Sequence, residues 1–295
     1  MKRRPRKVDN EKETIVMKKV LCTGAGGYIG HHVVKALLDM GADVLAADVR
    51  LDGVDPRARK VQADLFSEEP GLFERLGAPD ACIHLAWRDG FVHNSPLHMG
   101  CLSDHYKFVR RMTDEGLSQI AIMGTMHEVG YWEGAIDEDT PCMPISQYGV
   151  AKDALRRSTQ LMAKDKGFVW QWLRAYYIYG DDLRANSIFA KISKAEAEGK
   201  ETFPFTSGKN QYDFIRVEAL GRQLAACVMQ KEVDGVINCC TGKPVTLAEQ
   251  VEAYIRESGF HIRLQYGAFP DRPYDSPGVW GDDSKIQKIM GSIEA

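Results

Sequence analysis

The chain has 295 residues, 44% of them hydrophobic, and 38 Lys+Arg against 41 Asp+Glu give a formal charge of −3. That balance offers no electrostatic footprint for nucleic acid or an anionic membrane, and the apolar share is enough for a substantial core. Seven cysteines, an odd number set largely in apolar runs without a CxxC pair, argue against a disulfide framework or a zinc site and point to free thiols in a reducing, cytoplasmic setting.

The opening stretch MKRRPRKVDNEKET is densely charged and lacks an apolar h-region, so it does not read as a secretory signal. Residues 1–16 read as a disordered basic extension ahead of Met17. No apolar stretch approaches the length of a bilayer span. From Met17 a regular alternation begins. KKVLCT is a short apolar run and reads as a buried strand; YIGHHVVKALLDMG follows as a helix with Ile29, Val33, Val34, Leu37 and Leu38 along one face. ADVLAAD, KVQAD and DACIHLAW read as further strands, and a long helical stretch leads to the strand SQIAIMG. A helix over 147–166 then leads to the strand FVWQWLRAYYIYG. This alternation predicts an α/β fold, a doubly wound parallel sheet of the Rossmann type over residues 17–176. Beyond Gly180 the pattern loosens into a helix at NSIFAKISKAEAEGK, a late strand at about 235–240 returning to the sheet, and a helix at LAEQVEAYIRESG. Residues 177–295 are therefore expected to form mainly a smaller C-terminal α/β substrate domain.

TGAGGYIG, residues 23–30, joins the first expected strand to the first expected helix. Glycine costs about 0.5–1 kcal/mol relative to alanine inside regular structure, so this density needs a reason. A turn at positive φ, backbone free to approach a pyrophosphate, and open N–H groups at a helix N-terminus together supply one. Gly24, Gly27 and Gly30 are spaced GxxGxxG, which by itself equally describes a tight turn with close helix packing. Asp48 closes the second strand, where a carboxylate holds the adenosine ribose and repels a 2′-phosphate, favouring NAD over NADP. Asp64 is either an acceptor for the adenine amino group or a helix N-cap. In YGVAK, Tyr148 and Lys152 share one helix face. An ammonium beside a phenol favours phenolate and draws the tyrosine below its ordinary value of about 10, toward use as a general base.

With TGAGGYIG, Asp48, ADLF, IHLAW, GTMHEVG, YGVAK, LRAYYIYG, YDFIRV, NCCTGKPVTLAE and RPYD in this order, the chain resembles an extended short-chain dehydrogenase/reductase of the NAD-dependent epimerase/dehydratase family, from about Met17 to the C-terminus. The resemblance implies NAD as cofactor, Tyr148 as catalytic base, Lys152 on the nicotinamide ribose, and Thr125 hydrogen-bonding the reacting hydroxyl. It places Gly24, Gly27 and Gly30 at the pyrophosphate with Tyr28 and Ile29 among the cofactor contacts. Asp48 then holds the ribose, Asp64 and Leu65 flank the adenine, and Leu85 and Ala86 line the cleft. Arg272 in RPYD matches an arginine that contacts the diphosphate of a nucleotide-sugar. The loop RDGFVHNSPLHMGC lies where the family builds a substrate loop; Arg88, His93 and Asn94 are its candidate contacts, against the plainer reading of a solvent-facing loop. Dimerisation through the stretches 101–115 and 147–166 is a further implication.

The departures bear on the substrate. Met126 and His127 stand where the family's 4,6-dehydratases carry an acidic pair, which disfavours dehydration. His127 is open to two readings, an additional acid/base or a structural histidine under the loop. Glu128-Val129-Gly130 replaces the family's VYG, Tyr212-Asp213-Phe214 replaces RDF, and Tyr177 replaces an asparagine. The last two weaken the case for an ordinary UDP- or TDP-sugar, although Arg216 or Lys209 could compensate. The expectation is an NAD-dependent epimerase acting on a nucleotide-sugar or related carbohydrate through a transient keto intermediate. The alternatives are a net NAD(P)-dependent sugar oxidoreductase of the same fold and a non-catalytic dinucleotide-binding regulator.

Overall fold

In the computed structural model, which describes residues 17–67, 70–90, 92–180, 187–271 and 275–293, the central apolar runs become strands buried on both faces, while the strand expected at KVQAD lies largely exposed at the sheet edge. The chain passes through β1 (Lys19–Thr23), α1 (Tyr28–Asp39), β2 (Asp43–Asp48), β3 (Arg59–Gln62), α2 (Leu72–Arg75), β4 (Ala81–His84), α3 (Leu97–Gly100), α4 (Leu102–Asp114) and β5 (Gln119–Thr125). A 3-10 turn over Met126–Glu128 precedes β6 (Gly134–Ile136), α5 (Gln147–Lys166), β7 (Val169–Ala175) and β8 (Tyr177–Tyr179). The remainder comprises α6 (Ile188–Ala197), β9 (Thr202–Pro204), β10 (Gln211–Tyr212), β11 (Phe214–Arg216), α7 (Val217–Met229), β12 (Gly235–Cys239), β13 (Val245–Thr246), α8 (Leu247–Glu257), β14 (Arg263–Gln265), β15 (Gly278–Gly281) and α9 (Ser284–Ile293).

Seven parallel strands form one sheet in the order β12-β7-β5-β4-β1-β2-β3. This is the doubly wound sheet expected from the alternation. Successive residues of β1 serve opposite faces: Val20 and Cys22 join the apolar layer containing α1 and α7, while Leu21 joins the layer containing α4 and α5. The order reverses between β1 and β4, so a crevice opens beyond their carboxyl ends, the usual place for a ligand in such sheets.

The second layer of organisation is a four-stranded sheet, β13-β10-β15-β6, and two short parallel pairs, β11–β8 and β14–β9, around a third apolar cluster. The expected single strand 168–180 divides here. Past Ala175 the chain leaves the main sheet, the Tyr177 N–H donates to the Asp213 carbonyl at 3.1 Å, and β8 pairs with β11 instead. The fully buried Asp213 carboxylate ties these pieces to the loop after β12, accepting from Thr241 N at 2.9 Å, Thr241 Oγ1 at 2.6 Å and Gly242 N at 2.9 Å. α5 is fixed at both ends. Ser146 Oγ caps it, accepting from Gly149 N at 3.1 Å, and Gly167 closes it at φ +76°.

Candidate active site

The turn between β1 and α1 is shaped by contacts that no side chain would tolerate. Gly24 has φ +68°, and a Cβ on it would lie 2.6 Å from Ala86 N; one on Gly30 would lie 2.1 Å from the Gly24 carbonyl oxygen. These contacts bring β1, β4 and α1 close enough to form one cradle. α1 starts with no side-chain cap and no acidic residue in its first turn, so its N-terminal N–H groups and positive dipole end stay available to an anion. Asp48 faces the same turn, its carboxylate accepting from Gly26 N at 3.0 Å and Val49 N at 2.7 Å. A cavity of about 290 Å³ opens there, lined by Gly24, Gly27, Asp48, Asp64, Leu65 and the Leu85–Ala86 segment among others. A glycine cradle for a pyrophosphate, an acidic group for a ribose and an apolar slot for adenine fit the NAD expected from the sequence. Tyr28 and Ile29 open α1 beside this cradle, Ile29 packing into the core and the Tyr28 hydroxyl lying close to Gly180. Asp64 caps no helix; its Oδ1 accepts from Phe66 N at 3.1 Å in a turn.

Tyr148 stands between this cavity and a second one. Its ring lies 6.1 Å from that of Trp87, which lines the cofactor cavity, and 5.7 and 6.3 Å from those of His93 and His127, which line the other. The second cavity, about 730 Å³, lies between the sheet and the C-terminal elements. Polar groups such as His93, Asn94, His127 and Ser146 gather on its Tyr148 side, while Ile188, Phe189, Tyr177, Tyr212, Leu247 and Val279 are among its other lining residues. Thr125, at the end of β5, is buried, accepts His127 N at 3.3 Å, and favours the Tyr148 phenolate through a side-chain hydrogen bond.

The electrostatics correct one expectation. Tyr148 is not drawn below its usual value: burial pushes it well up, and the Thr125 hydrogen bond only opposes that shift. Lys152 is itself desolvated. It is 2% exposed, donates from Nζ to the Met123 carbonyl at 2.7 Å, and lies 3.7 Å from the Trp87 ring centroid. Burial brings it down to about 7, against a raising influence from Glu128. Both groups are thus biased toward their neutral forms, with desolvation the largest cause for each. His127 is pushed down to about 4 by burial and by His93.

Arg88 lines the cofactor cavity rather than the substrate cavity in which the sequence reading expected it. Arg272 lies outside the described residues, as does the basic extension 1–16. Arg216, named as a compensating cation, pairs with exposed Glu257 at 2.5 Å. Among the described residues, no group of three or more His, Cys, Asp or Glu could hold a metal ion.

Sequence reasoning missed two features. Glu128 and Arg174 form an ion pair at 2.7 Å with both side chains 0% exposed, and Trp172 Nε1 donates to both carboxylate oxygens at 2.9 Å. Trp172 and Arg174 alternate on β7, which is the only local signal for the pair. The second is a buried chain of rings. Thr23 Oγ1 meets His84 Nδ1 at 2.8 Å, His84 Nε2 meets His105 Nδ1 at 2.9 Å, and Trp87 stacks on His105 at 4.3 Å. Burial holds His84 down at about 3 and His105 at about 2, so both stay neutral.

The sequence profile of the NAD dependent epimerase/dehydratase family matches residues 20–240, and the chain belongs to that family. It is 42% identical over 270 residues to a dTDP-6-deoxy-L-talose 4-dehydrogenase (NAD(+)) of Aggregatibacter actinomycetemcomitans, covering 89% of this chain and 98% of the relative. It is 26% identical over 305 residues to a UDP-glucose 4-epimerase of Lactobacillus helveticus, covering 92% and 91%. Among solved structures, the Thermus thermophilus UDP-glucose 4-epimerase in complex with NAD matches with a TM-score of 0.77 at 21% identity, covering 92% of each chain. The UDP-N-acetylglucosamine 4-epimerase of Methanobrevibacter ruminantium matches with a TM-score of 0.79 at 21% identity, covering 93% and 92%. These two likenesses speak for the fold. The protein is an NAD-dependent enzyme of the extended short-chain dehydrogenase/reductase type.

Proposed function

We propose that the chain oxidises or reduces the C4 position of a nucleoside-diphosphate hexose, with a dTDP-linked 6-deoxyhexose as the favoured substrate class. The observation that carries this reading is Tyr148, hydrogen-bonded by Thr125, lying between Trp87, which lines the dinucleotide cavity, and His93, which lines a half-polar, half-apolar one. When bound, NAD supplies acceptance and return of hydride. The residues supply the rest. Gly24, Gly27 and the α1 N-terminus hold the pyrophosphate and Asp48 the ribose. Thr125 orients the reacting hydroxyl, and Tyr148 takes its proton. Lys152 carries its charge toward the ribose and the phenolate once a negative partner is present to offset its burial. His127 borders the reacting group as a neutral imidazole.

The choice of net C4 oxidoreduction is supported by the 42% identical 4-dehydrogenase, matched over nearly its whole length. The epimerase cycle shares the same first half-reaction and is supported by the Lactobacillus relative. Incubation with NAD and a panel of dTDP- and UDP-linked hexoses separates the two. Stoichiometric NADH with a 4-keto product supports net oxidation. A C4-inverted product without NADH supports the epimerase, and neither product with any sugar defeats both readings.

We further infer a division into a cofactor domain, 17–176, and a mainly substrate-binding part, 177–295. The exposed Tyr106 on α4 and Leu161 on α5 support a homodimer across those helices, checked by light scattering. No helix among the described residues is long and apolar enough to cross a membrane, which is in keeping with a cytoplasmic site of action.

A further inference from the structure

Rings of Trp87, His93, His98 and His127 surround Tyr148, and they are not equivalent. Trp87 gives its only N–H to His98 Nδ1 at 3.1 Å. His98 must then carry its proton on Nε2, which meets the Val92 carbonyl at 2.9 Å, so both of its nitrogens are committed. His127 is only partly accessible; burial lowers its pKa, as burial and His98 also lower that of His93, so accessibility is what separates the two. His93 is the exposed member. It lines the substrate cavity, and its ring lies within 13° of parallel to Tyr148 at 5.7 Å between centroids. Among the described residues neither of its ring nitrogens has a protein hydrogen-bond partner. On the far side of the phenol, Lys152 is closed in by the Met123 carbonyl and Trp87.

The loop that carries His93 is fastened independently of the imidazole. The His93 carbonyl accepts Tyr148 N–H at 2.9 Å, and Asn94 Oδ1 accepts Gln147 N–H at 3.2 Å. The ring is thereby held against the catalytic residue, in an exposed side chain.

Net oxidation of an alcohol needs an exit for a proton. The C–H bond breaks and its electron pair leaves as hydride to the oxidised nicotinamide; the O–H bond breaks and its proton goes to the phenolate form of Tyr148, which the Thr125 hydrogen bond favours. Tyr148 must lose that proton before the next turnover, whereas an epimerase returns it to the sugar. We propose that His93 is the proton-relay residue of this site, taking the proton from Tyr148 through solvent in the cavity and passing it to bulk water, and supplying it in the direction of ketone reduction. This rests on the net oxidoreductase reading.

The test uses the whole chain with NAD and the nucleotide-sugar that gives stoichiometric NADH, comparing wild type, His93→Ala and His93→Gln. Both variants are expected to turn over about tenfold or more slowly, within the range of general acid–base effects, with NAD affinity and melting midpoint unchanged. Added imidazole should restore His93→Ala and leave the wild type unaffected. An undiminished NADH rate in both variants overturns the relay alone. So does a loss that imidazole fails to restore in His93→Ala with NAD affinity intact. A C4-inverted product with no NADH from the wild type overturns the oxidoreductase reading beneath it.

Discussion

Arg174→Met strips the cation from the buried pair beneath the end of β5. In the wild type Arg174 Nε lies 2.7 Å from Glu128 Oε1, and Arg174 also donates to the Asp137 carbonyl at 2.9 Å. Without the guanidinium, the carboxylate keeps the neutral indole of Trp172 as its side-chain hydrogen-bond donor among the described residues, with Arg156 as a weaker charge influence, in a site with no exposure. Removing one partner of such a pair costs about 3–5 kcal/mol. That corresponds to a fall of roughly 5–15 °C in the melting midpoint of a protein this large. The loss should depend on pH. Burial already raises Glu128 above its usual range, and loss of Arg174 raises it further. A carboxyl raised in the native state keeps its proton where the unfolded chain has lost it. Stability therefore falls as pH rises from the ordinary carboxylate value through the raised native one, and returns on acidification. Urea unfolding of the cofactor-free protein at neutral and mildly acidic pH measures both effects. The double variant Glu128→Gln/Arg174→Met keeps an acceptor for Trp172 without a buried charge, and should recover most of the loss. A cost below about 1 kcal/mol, typical of an average position, would refute the reasoning. So would a deficit that ignores pH, or a double variant no better than the single one.

Tyr148→Phe should lower turnover by about 10²–10⁴-fold while NAD binding, read by calorimetry, is retained; near-normal turnover rejects Tyr148 as the base. Asp48→Asn should shift the NAD/NADP affinity ratio toward NADP by about tenfold, some 1.4 kcal/mol, and an unchanged ratio removes Asp48 from the ribose site. Lys152, brought down to about 7, loses its proton in the native state well before the unfolded chain does. Wild-type stability should therefore gain a rising component from about pH 7 toward the ordinary lysine value near 10.4. Unfolding midpoints of Lys152→Met across that window should lack it, and an identical slope in both proteins contradicts a desolvated lysine.

The sequence by itself determined the features that depend on near neighbours along the chain. Short apolar runs between helical periods specify strands buried on both faces. The glycines of 23–30 specify a tight turn between strand and helix, and YGVAK puts Tyr148 and Lys152 one helical turn apart. Each of these follows from backbone sterics or from a period of 2 or 3.6. Tertiary structure decided what depends on surroundings. Glu128 meets Trp172 and Arg174 across 44 and 46 positions of chain. His93 and His127, from different loops, come within 4.5 Å at the cavity wall. Arg88 falls on the cofactor side, a choice its loop sequence did not specify. The direction in which Tyr148 and Lys152 shift was settled the same way. Desolvation sums over every atom packed around a group, whatever its place in the chain, and here it is the largest influence on both.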